Sequence, residues 1–291
     1  MFDLLSALDF LSFGFYPDID KWRLVLAIVI IPMHAVLTVF CVKNRYRLSY
    51  CLVLTLGLQM LTLWLSIGDG AILRSVKLDE LSGLCLNLLL AYWSIPLATI
   101  LAAGICFILI NASSKSLAYI LGLFFDLIRS LPLVTLLFFN TLILPMLFNP
   151  KLIITRLEAA WITLIFFLCA YTIQIFLGAY EAISYHQHES AKALGISGWK
   201  KYRHIDLPQM LKHSLPALIS TYIGMIKDTT LVMIIGLADS LGNLQLLISR
   251  NAYKHYYIEF FFILGFLFWL TCTLCGWWGK QLERTSNYGK T

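Results

Sequence analysis

Four ionisable side chains lie inside otherwise apolar runs: Asp126, Arg129, Lys227 and Asp228. At the centre of a bilayer each would cost roughly 2.5–3.5 kcal/mol on insertion scales, so each is expected to face protein or water rather than lipid. Asp126 and Arg129 stand at i and i+3, where an acid and a guanidinium can meet on one helix face. Such a pair can simply neutralise itself to help insertion, or it can present Arg129 to a polar cavity. Lys227 and Asp228 are adjacent and cannot point the same way; Thr229 and Thr230 follow them. This polar knot could pack helices together, act as a gate, or touch a polar solute. An intramembrane acid–base pair could also serve an enzyme, but no nucleophile–base constellation accompanies it. No Walker A pattern, GxGxxG, HExxH or GxSxG occurs in the chain.

A second stretch is polar for a different reason. Residues 189–208, ESAKALGISGWKKYRHIDLP, hold four lysine or arginine side chains, two glycines and a closing proline. Ala191, Ala193 and Leu194 favour a short helix, and Gly195 can end it in the left-handed conformation that glycine adopts cheaply. Trp199, Tyr202 and Ile205 then recur at i, i+3 and i+6 on one face, with Lys200, Lys201 and Arg203 elsewhere. Pro208 suits the first turn of the next helix. The expectation is two small helices with apolar knobs and a basic rim. They could dock a soluble partner or lie on lipid headgroups. His186 and His188 flank Gln187, but two imidazoles without further ligands make a poor metal site. Cys272 and Cys275 form a CxxC on an apolar helix with no second pair, and read as packing residues. No cofactor is expected.

The elements that must position these residues are set by composition. Of 291 residues, 59% are apolar and 13% charged. Several apolar runs reach the roughly 20 residues that a helix needs to cross a bilayer at about 1.5 Å per residue. The fold class is an all-α integral membrane protein; the weak alternation of a β-barrel is not seen. The expected spans are Leu24–Val42, Leu48–Ile67, Gly83–Ile110, Leu117–Leu147, Leu157–Leu177, Ser214–Gly236 and Ile258–Trp278. Pro96 and Pro132 should kink their spans. Residues 1–20, interrupted by Asp3, Asp9, Asp18 and Asp20, read as an interfacial helix or an eighth span. Their start, MFDLLSALDF, lacks the basic region of a signal peptide and is expected to stay in the mature chain. With the N-terminus outside, the inside loops carry twelve Lys/Arg against eight outside, so the orientation is N-out, C-in, with loop 178–213 in the cytoplasm. The net charge of +6 therefore reflects topology and lipid headgroups, not nucleic acid.

The spacing inside the opening loop is long and specific. Glu189, Ala191 and Gly195, nine residues, then Ile205, Leu207 and Pro208, resemble the EAA loop of ABC transporter permeases. Only the first alanine departs, being Ser190. RSLPLVTLLFF (129–139), AYTIQIFLGAYEAI (170–183), LPQMLKHSLPAL (207–218) and KDTTLVMIIGLADSLG (227–242) resemble the polar amino-acid branch of that family, and the whole is similar to its broad-specificity L-amino-acid permeases. The resemblance covers roughly residues 80–285. It implies a type I permease with five core helices in residues 81–280, an N-terminal extension of two helices in 1–80, and a cytoplasmic tail in 281–291.

The loop 186–208 would then be the coupling helix region, seated on a cytoplasmic ABC ATPase dimer. ATP binding would swing the core from inward- to outward-facing, and an extracytoplasmic substrate-binding protein would deliver an amino acid. The implied localisation is the bacterial inner membrane. Arg129, Gln174, Lys227, Asp228, Thr229 and Thr230 become candidates for the translocation path, since an amino acid offers one carboxylate and one ammonium. Relatives usually carry Glu and Arg where this chain has Gln174 and Leu177, which implies a heterodimer with a second permease subunit that keeps the charged pair. A permease for another small polar solute, a membrane enzyme and a non-transporting scaffold are the competing readings.

Overall fold

The computed structural model describes residues 4–43, 48–70, 73, 75–76, 80–112, 114–148, 154–250 and 253–287. Four of its helices are long and apolar enough to cross a membrane, or five if one sharply bent pair counts as a single span. Residues 44–47 of the expected basic loop, residues 149–153 and the end of the tail, 288–291, lie outside the described residues.

The centre is a pair of helices. The run Gly83–Asn111 is apolar on every side and forms α4, as expected of a helix enclosed by protein and lipid. Its Leu86, Leu89 and Leu90 are buried against α8, Arg156–Glu181, which contributes Leu164, Leu168 and Phe176. A capping box starts α8: the Thr155 hydroxyl accepts from the Glu158 backbone at 3.2 Å, and the Glu158 carboxylate accepts from the Thr155 backbone at 2.7 Å. Two otherwise unpaired helix-end donors are thereby satisfied.

The N-terminal helices pack onto this pair. Helix α1, Leu4–Phe13, expected as an interfacial helix or an eighth span, buries Ala7 and Leu11 against Leu244, Leu247 and Phe260. Lys21 pairs with both Asp9 and Asp18, and Arg23 pairs with Asp20 at 3.4 Å. Helices α2, Lys21–Lys43, and α3, Leu48–Ile67, form a hairpin. Polar bonds hold it to α4: Gln59 donates to the Tyr92 carbonyl at 2.7 Å, the Trp93 indole donates to Thr62 at 3.2 Å, and His34 meets the Tyr92 hydroxyl at 3.0 Å.

Two expected spans differ. Leu117–Leu147 is not one helix. Helix α5, Lys115–Ser130, ends at Leu131, whose extended backbone is what a following proline imposes. After Pro132 the chain restarts as α6, Leu133–Phe138, a π turn, Phe139–Ile143, and α7, Leu144–Phe148. The two arms meet at 106°, so Pro132 marks a break rather than a kink.

Ser214–Gly236 is the opposite case, the end of a longer rod. Short helix α9, Tyr185–Ala193, is followed by α10, Gly198–Lys201, a π turn, Tyr202–Asp206, and α11, Leu207–Asp228, with a 3₁₀ turn from Thr229 to Ile235. Residues Gly198–Ile235 form one continuous helix. The second small helix expected in the loop is therefore the foot of this rod, and Pro208 lies in the first turn of α11 as expected, with the π turn running into it. The π turn before Pro208 absorbs its missing donor and its ring. Helix α12, Ser240–Ser249, and the long α13, Tyr257–Asn287, complete the bundle, with Cys272 and Cys275 on α13 as free thiols.

Candidate functional site

The loop of residues 185–208 is built from one capped helix and one anchor. Gly195 lies at φ +71°, as its spacing predicts. The Gly195 N–H donates to the Lys192 carbonyl at 3.0 Å and the Ile196 N–H to the Ala191 carbonyl at 2.9 Å. These two bonds are a Schellman cap, which satisfies carbonyls that the helix end leaves open. Ala191 is buried, Glu189 is exposed, and Leu194 is 76% exposed at the tip. A helix that turns its small residue inward while holding an acid and a leucine outward has a free face for another protein.

The aromatic face behaves differently from the expected knobs. Tyr202 is buried, and its hydroxyl donates to the Ala103 carbonyl of α4 at 2.5 Å. Phe107 packs against both Trp199 and Tyr202, with centroids 5.1 and 5.2 Å away. The loop is thus nailed to α4, and of the two rings only Trp199 stays half-exposed. Ile205 and Leu207 are half-buried in the foot of the rod, with Pro208 exposed beside them. Between α9 and the rod sits Asp206, 1% exposed, with Lys201 Nζ at 3.5 Å and His188 Nδ1 at 3.6 Å. Sequence reasoning passed over it. The π turn is the reason: residues five apart do not share an α-helical face, but one π turn brings Lys201 over Asp206.

The intramembrane charges resolve into two sites. On α5, Arg129 Nε donates to Asp126 Oδ1 at 2.9 Å, so the i,i+3 pair forms. The same oxygen accepts from Gln174 Nε2 of α8 at 3.0 Å. One carboxylate oxygen therefore ties α5 to α8, and the Arg129 side chain stays 44% exposed. Among the described residues the guanidinium has no second acidic partner. This arrangement can accept a carboxylate at Arg129; it offers no free acid for an ammonium.

The second site separates its members. Lys227 is exposed and Asp228 half-buried, and Thr230 donates back to the Lys227 carbonyl at 2.7 Å. Thr229 turns inward, where its hydroxyl accepts from Asn87 of α4 at 3.2 Å. Asn87 also donates to Asp239 at 3.1 Å and accepts from the Ser240 backbone at 3.0 Å. Asp239, just beyond the rod, caps α12 by accepting from the Gly242 N–H at 2.9 Å. Burial pushes its carboxyl up to about 6, against the opposing bonds from Gly242 and Asn87. Thr229 therefore ties the rod to α4, while Lys227 and Thr230 lie beside it on the outer side of the turn.

Residues 94–287 match the family described as binding-protein-dependent transport system inner membrane component. The inner membrane amino-acid ABC transporter permease protein YhdY of Escherichia coli is 30% identical over 280 residues, covering 96% of this chain and 76% of that protein. The glutamate/glutamine/aspartate/asparagine transport system permease protein BztC of Rhodobacter capsulatus is 32% identical over 217 residues, 73% of this chain and 49% of that one. The glutamine transport system permease protein GlnP of Escherichia coli is 37% identical over 128 residues, 44% of this chain and 58% of its own. The chain thus spans about half the length of the latter two relatives. Among solved structures, that of an amino acid ABC transporter with histidines superimposes with a TM-score of 0.60 at 22% identity, over 68% of this chain and 89% of its own, and shares the fold.

Proposed function

The chain belongs to the family of binding-protein-dependent transport system inner membrane components, and from that premise we propose that it is a permease subunit of an ABC importer for amino acids. The observation that carries the proposal is the loop: a Schellman-capped helix presents Glu189 and Leu194 outward, while Tyr202 roots the following rod in α4. In this reading the cytoplasmic ATPase dimer seats on α9, with Glu189, Ala191, Gly195, Ile205, Leu207 and Pro208 forming the coupling region. Closure of the ATPases pulls the foot of the rod, and the rod turns the membrane path toward the binding protein outside. Residues 81–280 act as the five-helix core. Residues 1–80 add two spans to give seven, and 281–291 form a cytoplasmic tail. ATP hydrolysis belongs to the ATPase partner.

The path residues are Arg129, Gln174, Lys227, Asp228, Thr229 and Thr230, of which Arg129 is the group suited to a substrate carboxylate. Gln174 is neutral and bonded to Asp126, and a second permease subunit that keeps the charged pair would supply the counter-charge for an ammonium in a heterodimer. Uptake of labelled amino acids by cells with and without this chain tests the assignment. ATP-dependent uptake should disappear with the chain and return with it. Uptake of every amino acid unchanged by its removal would overturn the reading.

A further inference from the structure

Asp206 is the most deeply buried carboxylate near the loop, yet neither of its oxygens makes a hydrogen bond. Its two nearest cationic or donor groups, Lys201 Nζ and His188 Nδ1, stand at 3.5 and 3.6 Å, close enough for strong attraction and just beyond bonding range. Lys201 also lies over the Tyr180 ring at 5.6 Å, and that ring packs on His188 at 5.1 Å. Three pieces of chain therefore gather around one carboxylate: the end of α8 through Tyr180, α9 through His188, and the foot of the rod through Lys201 and Asp206 itself. Resting on the proposed docking of α9, we propose that Asp206 is a positioning residue for energy coupling, the clasp that makes α9 and the rod move as one body.

The physics favours a clasp over a hinge. Drawing α9 away from the rod would take His188 from the buried carboxylate and leave it only Lys201 of the rod itself, a less compensated state for a buried ion. Pushing α9 toward the rod closes the last fraction of an ångström between His188 and Asp206 and creates a charge-assisted hydrogen bond, short and about twice as strong as a neutral one. Compression is rewarded and separation is penalised. The non-helical link between α9 and the rod, Gly195 to Ser197, is bypassed by the clasp, so force on α9 reaches the rod without passing through it alone.

The test uses the assembled importer in proteoliposomes, with the partner permease, ATPase and binding protein present. In Asp206→Leu and Asp206→Asn, ATPase capture should stay within twofold while ATP hydrolysed per amino acid imported rises at least fivefold. Asp206→Glu should recover part of the ratio. Asp206→Leu leaves the largely buried Lys201 without its partner, so Asp206→Asn, which keeps the shape and a polar group, is the variant in which folding is best preserved. Spin labels at Lys192 and His213, in a background without reactive cysteines, report the α9–rod distance: narrow in the parent and broadened in Asp206→Asn. An unchanged hydrolysis ratio together with an unchanged distance distribution in both variants overturns the clasp. Gly195→Val is the control for the underlying reading. If Gly195→Val leaves capture and transport untouched, the docking assignment fails; if it impairs them while the Asp206 variants do not, only the clasp fails.

Discussion

Replacing Gly195 separates backbone strain from packing. A Cβ built there meets no atom within 4 Å, so an added side chain suffers no clash. What remains is the φ of +71°. An L-residue in the left-handed region costs about 1–2 kcal/mol, a factor of about 5–30 in the population of the capped conformation. Gly195→Ala should therefore shift α9 toward uncapped states by that factor, and Gly195→Val should shift it further because β-branched residues are genuine outliers at this φ. Gly195→Asn should cost least, since asparagine tolerates the left-handed region. The readout is retention of the ATPase by the detergent-solubilised permease, followed by transport in proteoliposomes, with the order Gly, Asn, Ala, Val. Gly104 of α4 also has no neighbour within 4 Å, but lies inside a helix. Gly104→Ala should leave capture unchanged and raise helix stability by up to about 1 kcal/mol. If Gly195→Val captures and transports like the parent, the left-handed cap has no part in coupling and the reasoning is refuted.

Other consequences follow from single contacts. Because burial raises the Asp239 carboxyl to about 6 from 3.8, the folded state holds a proton that the unfolded state has lost between those values; stability should fall as pH rises from about 4 to 6, by up to about 3 kcal/mol, and level off above. Thermal melts of Asp239→Asn should show that slope flattened. Tyr202→Phe removes one bond to the Ala103 carbonyl and should cost about 1 kcal/mol, whereas Tyr202→Ala also empties a buried site and should cost several, both read as shifts in melting temperature. Gln174→Glu replaces a donor 3.0 Å from the Asp126 carboxylate with a like charge, so uptake should drop severalfold while Gln174→Asn keeps more of it; equal uptake by both would remove Gln174 from the α5–α8 tie.

Much of the frame was legible in the residues. The apolar runs that became α4, α8 and α13 are longer than any soluble helix needs, and in lipid a backbone can satisfy its polar groups only as a helix or a closed barrel. The left-handed cap at Gly195 follows from local propensity and the residues on either side, which is why the spacing alone placed it. The break at Pro132 and the unbroken rod through Pro208 were not legible. A proline removes one donor in either case, and the surrounding packing decides whether the chain bends by 106° or absorbs the defect in a π turn. The Lys201–Asp206 contact depends on that π turn, since α-helical spacing puts the two side chains on different faces. Asn87 and Asp239 are 152 residues apart, and no local pattern announces their bond. Sequence by itself determined which segments must be helices and where one of them must stop, because those are local costs of burying backbone and of adopting a positive φ. Only the tertiary structure decided which polar side chains share a buried site, because a charge or amide in a low dielectric is stabilised by whichever partner the packing of distant helices brings within reach.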